Sequence, residues 1–205
     1  GWYTLIDPST GEELARASMA DQRLVDAALA SAHEALKGWR SMPSPQRSSL
    51  LHALAEKVRE EQDALAALLS REAGKPLQAA LDEVLSSAFL VDYFAEENLR
   101  LCGQIPLLGY PREQVLIVRE PVGVVVAITP FNYPLSTLAA KMAPALAVGC
   151  TVVAKPDEHT PLSTLKLAQL AVEAGMPPGV FNVLTGSGAA TGRLLVDHPL
   201  PRLIT

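Results

Sequence analysis

Eight consecutive residues, Val122-Gly123-Val124-Val125-Val126-Ala127-Ile128-Thr129, carry no charged side chain, and no polar one before the last. A strand with one wet face alternates apolar and polar residues, whereas an unbroken β-branched run is the pattern of a strand covered on both faces. Helices must therefore be at hand to cover it. The sequence downstream supplies them: helical composition from Pro134 to Val148, a second strand at Thr151-Val152-Val153-Ala154-Lys155, and a helix opened by Thr160-Pro161 and closed at Gly175-Met176-Pro177-Pro178-Gly179. A third strand, Val180-Phe181-Asn182-Val183-Leu184-Thr185, leads through a glycine-rich turn into a short helix ending near Val196, and Leu203-Ile204-Thr205 begins a fourth. The order βαβαβαβ predicts a parallel sheet with right-handed crossovers.

The residues before this sheet differ in character. Residues 1–120 carry 12 basic and 18 acidic groups, and residues 121–205 carry 5 and 4, so a boundary is expected near Glu120-Pro121. Trp2-Tyr3-Thr4-Leu5-Ile6 followed by Asp7-Pro8-Ser9-Thr10-Gly11-Glu12 reads as a short hairpin. Leu24, Ala27, Ala28, Ala32, Leu36 and Trp39 form an apolar stripe at spacings of three and four. Ser44-Pro45 reads as an N-cap with proline in the first helical position, opening a helix whose continuation stops at Gly74-Lys75-Pro76. A further helix is expected from Leu77 to Leu101, and then Val115-Leu116-Ile117-Val118 reads as strand. The expected fold class is α/β: a Rossmann-like parallel sheet preceded by a helical region with a short β-hairpin and a β-ribbon.

Composition removes several function classes. At 205 residues with 49% apolar and 19% charged residues the chain is globular, and a net charge of −5 argues against a nucleic-acid groove or a polybasic membrane surface. No apolar run reaches the roughly 18 residues that span a bilayer. The amino terminus has no signal-peptide pattern, so a soluble, cytoplasmic protein with free thiols is expected. Cys102 and Cys150 lack CxxC or CxxH partners, and His33, His52, His159 and His198 have no metal-ligand spacing, so no metal site is expected.

In open parallel sheets ligands bind outside the carboxyl ends of the strands. Three loops therefore matter. Thr129-Pro130-Phe131-Asn132-Tyr133-Pro134 holds an asparagine between two prolines; its amide suits a developing oxyanion, or it forms a turn with its own backbone. Lys155-Pro156-Asp157-Glu158 places a cation and a carboxylate where both could grip vicinal hydroxyls; the alternative is a solvated ion pair at a helix N-terminus. Thr185-Gly186-Ser187-Gly188-Ala189-Ala190-Thr191-Gly192 could bring backbone to a phosphate, or merely pack a helix closely on the sheet. Lys141, among alanines, is either a snorkelling surface residue or a charge reserved for a site. Cys150 reads as a small buried hydrophobe, and Cys102 has no neighbour that would activate it.

Taken in order, Glu120-Pro121-Val122-Gly123-Val124, Pro130-Phe131-Asn132-Tyr133-Pro134, Lys141 before Gly149-Cys150-Thr151-Val152-Val153, Lys155-Pro156 with Glu158-His159-Thr160-Pro161, and Gly175-Met176-Pro177-Pro178-Gly179-Val180-Phe181-Asn182-Val183 closely resemble the NAD(P)-dependent aldehyde dehydrogenase superfamily. The likeness covers nearly the whole chain. It implies attack by a cysteine thiolate on an aldehyde, an oxyanion held by an asparagine amide, hydride transfer to nicotinamide, and hydrolysis by a glutamate-activated water. By position, Asn132 matches the oxyanion asparagine and Lys141 a lysine near the water path. Lys155 and Glu158 match the pair at the adenosine ribose; Ile128, Thr129, Pro130 and Phe131 match the loop along the cofactor, and Gly188 and Gly192 flank its adenine-side helix.

The resemblance further implies NAD, with NADP possible, since a carboxylate at the ribose repels a 2′-phosphate. It implies an aldehyde substrate, with Phe131 and Tyr133 similar to semialdehyde- or hydroxyaldehyde-oxidising relatives. Residues 103–119 would form strands used in subunit contacts of a homodimer or homotetramer, residues 1–120 the amino-terminal region, and residues 121–205 a partial dinucleotide-binding domain. The family's nucleophile, general base and Gly-Ser-Thr segment all fall after this sequence. The chain therefore reads as the front portion of such an enzyme, inactive alone. A non-catalytic dinucleotide-binding or assembly module is the alternative, and the missing GxGxxG after Thr129 speaks against an unrelated Rossmann oxidoreductase.

Overall fold

The computed structural model describes residues 1–106 and 114–205. β1 (Trp2–Ile6) and β2 (Glu13–Ser18) form an antiparallel hairpin. Four helices follow: α1 (Gln22–Ser41), α2 (Ser44–Glu60), α3 (Gln62–Ala73) and α4 (Leu77–Arg100). The sheet is built from β3 (Val124–Ile128), β4 (Thr151–Lys155), β5 (Phe181–Val183) and β6 (Leu203–Ile204), linked by α5 (Pro134–Ala147), α6 (Leu162–Glu173) and α7 (Arg193–Asp197). Its order is β5-β4-β3-β6 and every pairing is parallel. From β3 the chain steps outward through β4 to β5, then returns to lay β6 on the other side of β3. The strand order thus reverses beside β3, the place where open sheets form a crevice.

The unbroken apolar run is explained by what lies above and below it. Val124 and Val126 of β3, with Val153, belong to a core shared with Val25, Leu29 and Ala32 of α1 and Leu195 of α7. Val125 and Ala127, with Val152 and Ala154, face the opposite way, into a core shared with α5, α6 and the helices α2 to α4. Alternate side chains of one strand therefore enter two different cores. Burying each valine contributes about 1.5–3 kcal/mol, and neither face could be given a charge without losing it.

Long-range polar contacts seal the ends of α5. At its carboxyl end the fully buried Trp39 donates Nε1–H to the Leu146 carbonyl at 3.0 Å, and Arg47 donates Nε–H to the Ala147 carbonyl at 2.8 Å. A cation suits the negative end of the helix dipole. Pro134 occupies its first turn, where a missing N–H costs nothing.

Several expectations shift. The helix expected to continue from Ser44 to Gly74 breaks at Glu61 into α2 and α3, and its cap is Pro43, so the Ser44 hydroxyl instead accepts from Arg47 at 3.2 Å. Thr160-Pro161 does not open α6 with a threonine cap; Pro161 precedes the helix and a distant carboxylate caps it. The β-ribbon at 103–119 falls partly on residues 107–113, outside the described residues. Among the described ones, its pairing is a single bridge, Gln104 to Ile117. The apolar side chains of Leu116 and Val118 are exposed there.

Candidate functional site

Ile128 and Lys155 are register partners at the ends of β3 and β4, so the two loops that follow leave the sheet at one level. The Thr129 N–H donates to the Lys155 carbonyl at 3.2 Å, joining the loops at their start. Asn132 lies in an exposed turn between Phe131 and Tyr133, whose rings are more than half exposed. Its side chain makes no hydrogen bond among the described residues, so it is not spent on its own turn. Its carbonyl is held, accepting from Lys75 Nζ at 2.7 Å.

The lysine–carboxylate pair is not a solvated surface pair. Lys155 is 2% exposed, and its Nζ reaches Glu158 Oε2 at 3.3 Å. The same Oε2 accepts the Gly188 N–H at 3.2 Å, so Glu158 ties the second loop to the third. Asp157 is occupied otherwise: it accepts the His159 N–H at 2.9 Å and faces that imidazole at 2.7 Å. In the third loop Gly186 has φ +145°, and a Cβ there would collide with Thr191. Ser187 Oγ accepts the Ala190 N–H at 3.2 Å, starting a π-helical turn over Gly188–Gly192 that runs into α7. Gly188 opens onto free space. A mostly apolar cleft of about 490 Å³ lies there between Ile128, Gly188, Ala189, Gly192, Arg193 and Val196. A flat base would fill such a cleft, with hydroxyls of an attached sugar meeting Lys155 and Glu158, so the residues present fit a dinucleotide.

Ile128, Thr129, Pro130 and Phe131 connect the two polar features, while Lys141 stands apart from them. Its Nζ donates to Thr205 Oγ1 at 3.1 Å, over an apolar groove that includes Val125, Cys150 and Leu203. The thiols are also elsewhere. Cys150 is buried just before β4, at the amino end of the strands, and exposed Cys102 borders a hollow with Val148 on that side.

Four residues of this region escape the sequence reading. Glu83 of α4, buried, accepts the Leu135 and Ser136 N–H groups at 2.9 and 3.1 Å, capping α5, and pairs with Lys75. Glu72 of α3, also buried, accepts the Leu162 and Ser163 N–H groups at 2.7 and 3.0 Å, capping α6. Burial pushes its carboxyl up to about 7, against the pull of those donors. The Tyr3 phenol is pushed up to about 12, first by burial and then by Glu158 and Asp157, so its buried hydroxyl keeps its proton. A signal did exist for the two carboxylates. Glu72 and Glu83 interrupt the apolar spacing of Leu65, Leu69 and of Ala80, Val84, Val91, where a charge has to meet a partner.

The aldehyde dehydrogenase family profile matches residues 2–205. The chain belongs to the aldehyde dehydrogenase family. It is 39% identical over 201 residues to the succinate-semialdehyde dehydrogenase [NADP(+)] of Escherichia coli (strain K12), covering 98% of this chain and 42% of that protein. It is 40% identical over 200 residues to the 3-sulfolactaldehyde dehydrogenase of Pseudomonas putida, covering 98% and 41%. The crystal structure of a betaine aldehyde dehydrogenase point mutant from Staphylococcus aureus in complex with NAD+ superimposes with a TM-score of 0.96 at 32% identity, over 100% of this chain and 42% of that one. The chain thus spans about two fifths of the length of the curated relatives it matches. The α/β architecture with its four-stranded parallel sheet is that of the family.

Proposed function

We propose that this chain forms the dinucleotide-binding part of an NAD(P)-dependent aldehyde dehydrogenase, the whole of which oxidises an aldehyde to a carboxylic acid. The observation that carries this reading is the convergence at one sheet edge of the Asn132 turn and the Lys155–Glu158–Gly188 contacts. Lys155 and Glu158 would hold the adenosine ribose, one donating to and one accepting from its hydroxyls. Ile128 to Phe131 would line the path to the reacting end, and Gly188 and Gly192 the adenine cleft. When bound, the nicotinamide supplies the hydride acceptor. Asn132, whose side chain is free, would donate its amide to the oxyanion that forms when a thiolate attacks the aldehyde. Lys141 would act by the water path. Cys102 and Cys150 both lie toward the opposite edge, which supports a nucleophile supplied from outside these residues.

Glu158 favours NAD, because a 2′-phosphate would meet its carboxylate; Lys155 offsets part of that repulsion. The E. coli relative carries NADP(+) in its name, so the two proteins should differ here. Phe131 and Tyr133 beside Asn132 fit a semialdehyde or hydroxyaldehyde, consistent with the relatives' names. Residues 1–120 and 121–205 would be the amino-terminal region and the partial dinucleotide-binding domain, with residues 103–119 making the contacts of a homodimer or homotetramer. Calorimetric titration of NAD into the chain, with the NADH absorbance followed after adding an aldehyde, tests the reading. Binding without turnover, abolished by Lys155→Ala, is expected. Failure to bind NAD would refute it.

A further inference from the structure

We propose that Lys75 is a positioning residue for the Asn132 amide, fixing the turn that presents it. The inference rests on the reading of Asn132 as an oxyanion donor. The two prolines that frame the turn do not do this alone. Pro130 and Pro134 fix their own φ and restrict the residue before each, which leaves Phe131 and Asn132 free to rotate. Something else has to hold Asn132.

Lys75 is placed to do so by its own local structure. Gly74 ends α3 in the left-handed region at φ +66°, its N–H bonded to the Ser70 carbonyl at 2.9 Å. The Ser70 hydroxyl then donates to the Lys75 carbonyl at 2.7 Å, and Pro76 follows. The Lys75 backbone is held on both sides before its side chain reaches anything. An ammonium has three donors and no acceptor. One Lys75 donor goes to the Glu83 carboxylate, one goes to the Asn132 carbonyl at 2.7 Å, and the Nζ lies 4.5 Å from the centroid of the Tyr133 ring. Glu83 in turn accepts from the N–H groups of Leu135 and Ser136. One ion pair therefore grips residues 132, 133, 135 and 136 from outside the loop, and it is mostly buried.

The consequence is preorganisation. A donor already aimed at the place where charge develops needs no reorganisation during the reaction, and a displacement of about 1 Å can cost on the order of 100-fold in rate. Holding the Asn132 backbone from its carbonyl leaves its side-chain amide unspent, which is the state the structure contains.

Backbone 15N relaxation on the 205-residue chain tests this. In the unaltered chain residues 131–133 should give order parameters near about 0.85; in Lys75→Met they should fall below about 0.6, while β4 and α6 stay rigid. Lys75→Arg, which keeps the charge and the donors, should restore them. NAD affinity, read at the Lys155–Glu158 end, should change less than twofold. Should Lys75→Met fail to fold, Lys75→Gln is measured in its place with the same criterion. Unchanged order at Asn132 in the neutral variant, or loss of order spread evenly through the chain, would overturn the proposal. Absence of NAD binding by the unaltered chain would overturn the proposed function and leave the relaxation comparison standing.

Discussion

The Asn132 turn and the Lys155–Thr160 turn are built alike and held differently. Each leaves the carboxyl end of a strand, each leads into a helix, and each helix is capped by a buried carboxylate from the helical region, Glu83 for α5 and Glu72 for α6. Glu83 has a cation beside it; Glu72 is held by N–H groups without one, and burial raises it to about 7. The carboxylate that caps the first helix is therefore ion-paired, whereas the one that caps the second titrates near neutrality. The capping carboxylate beside the Asn132 turn has a counter-ion, and the one beside the second turn has none among its partners.

The sharpest way to break this contrast is to remove the anchor. Glu83→Ala leaves a mostly buried ammonium without its counter-ion and two N–H groups without an acceptor, and should cost about 3–5 kcal/mol in urea unfolding. A loss below 1 kcal/mol would mean that the pair is ornamental.

Next in size is the pH effect at Glu72. A carboxyl whose folded value lies above its unfolded one favours folding while protonated. Its contribution is complete below about 4.5, declines as the unfolded chain ionises, and is gone once pH passes about 7. Relative to Glu72→Gln, the chain should lose about 3 kcal/mol across that window, read from melting curves at several pH values. Parallel curves for the two proteins would contradict the assignment.

These two carboxylates also show where the sequence stops being legible. β3 and β4 could be read because an uninterrupted β-branched run has few other uses, and Asn132 stood out through its two prolines. Lys75 was hidden inside a helix-stop signal that accounts for Gly74 and Pro76 without it. Glu72 and Glu83 cap helices 90 and 52 residues away, and spacing along the chain carries no trace of a partner that distant. Val115–Val118 has strand propensity, yet a ladder also needs a partner, and the described residues offer one bridge.

A smaller effect separates binding from anchoring in the second turn. On the proposed placement of the ribose, Glu158→Ser removes the charge that would face a 2′-phosphate and should move the NADP-to-NAD preference about tenfold toward NADP, some 1.4 kcal/mol, in paired calorimetric titrations. No change would place the ribose elsewhere. Smallest of all, Gly188→Ala meets open space and should alter stability by less than about 0.5 kcal/mol, while still weakening NAD binding. A large stability loss there would show that the loop serves packing rather than the dinucleotide.

The central claim is that the sheet edge shared by these turns receives a dinucleotide, and a crystal structure of the chain soaked with NAD examines it most directly. The account predicts ribose hydroxyls about 2.6–3.2 Å from Lys155 Nζ and the Glu158 carboxylate, the base beside Gly188 and Gly192, and the nicotinamide end directed toward Asn132. A dinucleotide bound at any other edge, or one whose ribose leaves Lys155 and Glu158 untouched, would contradict it.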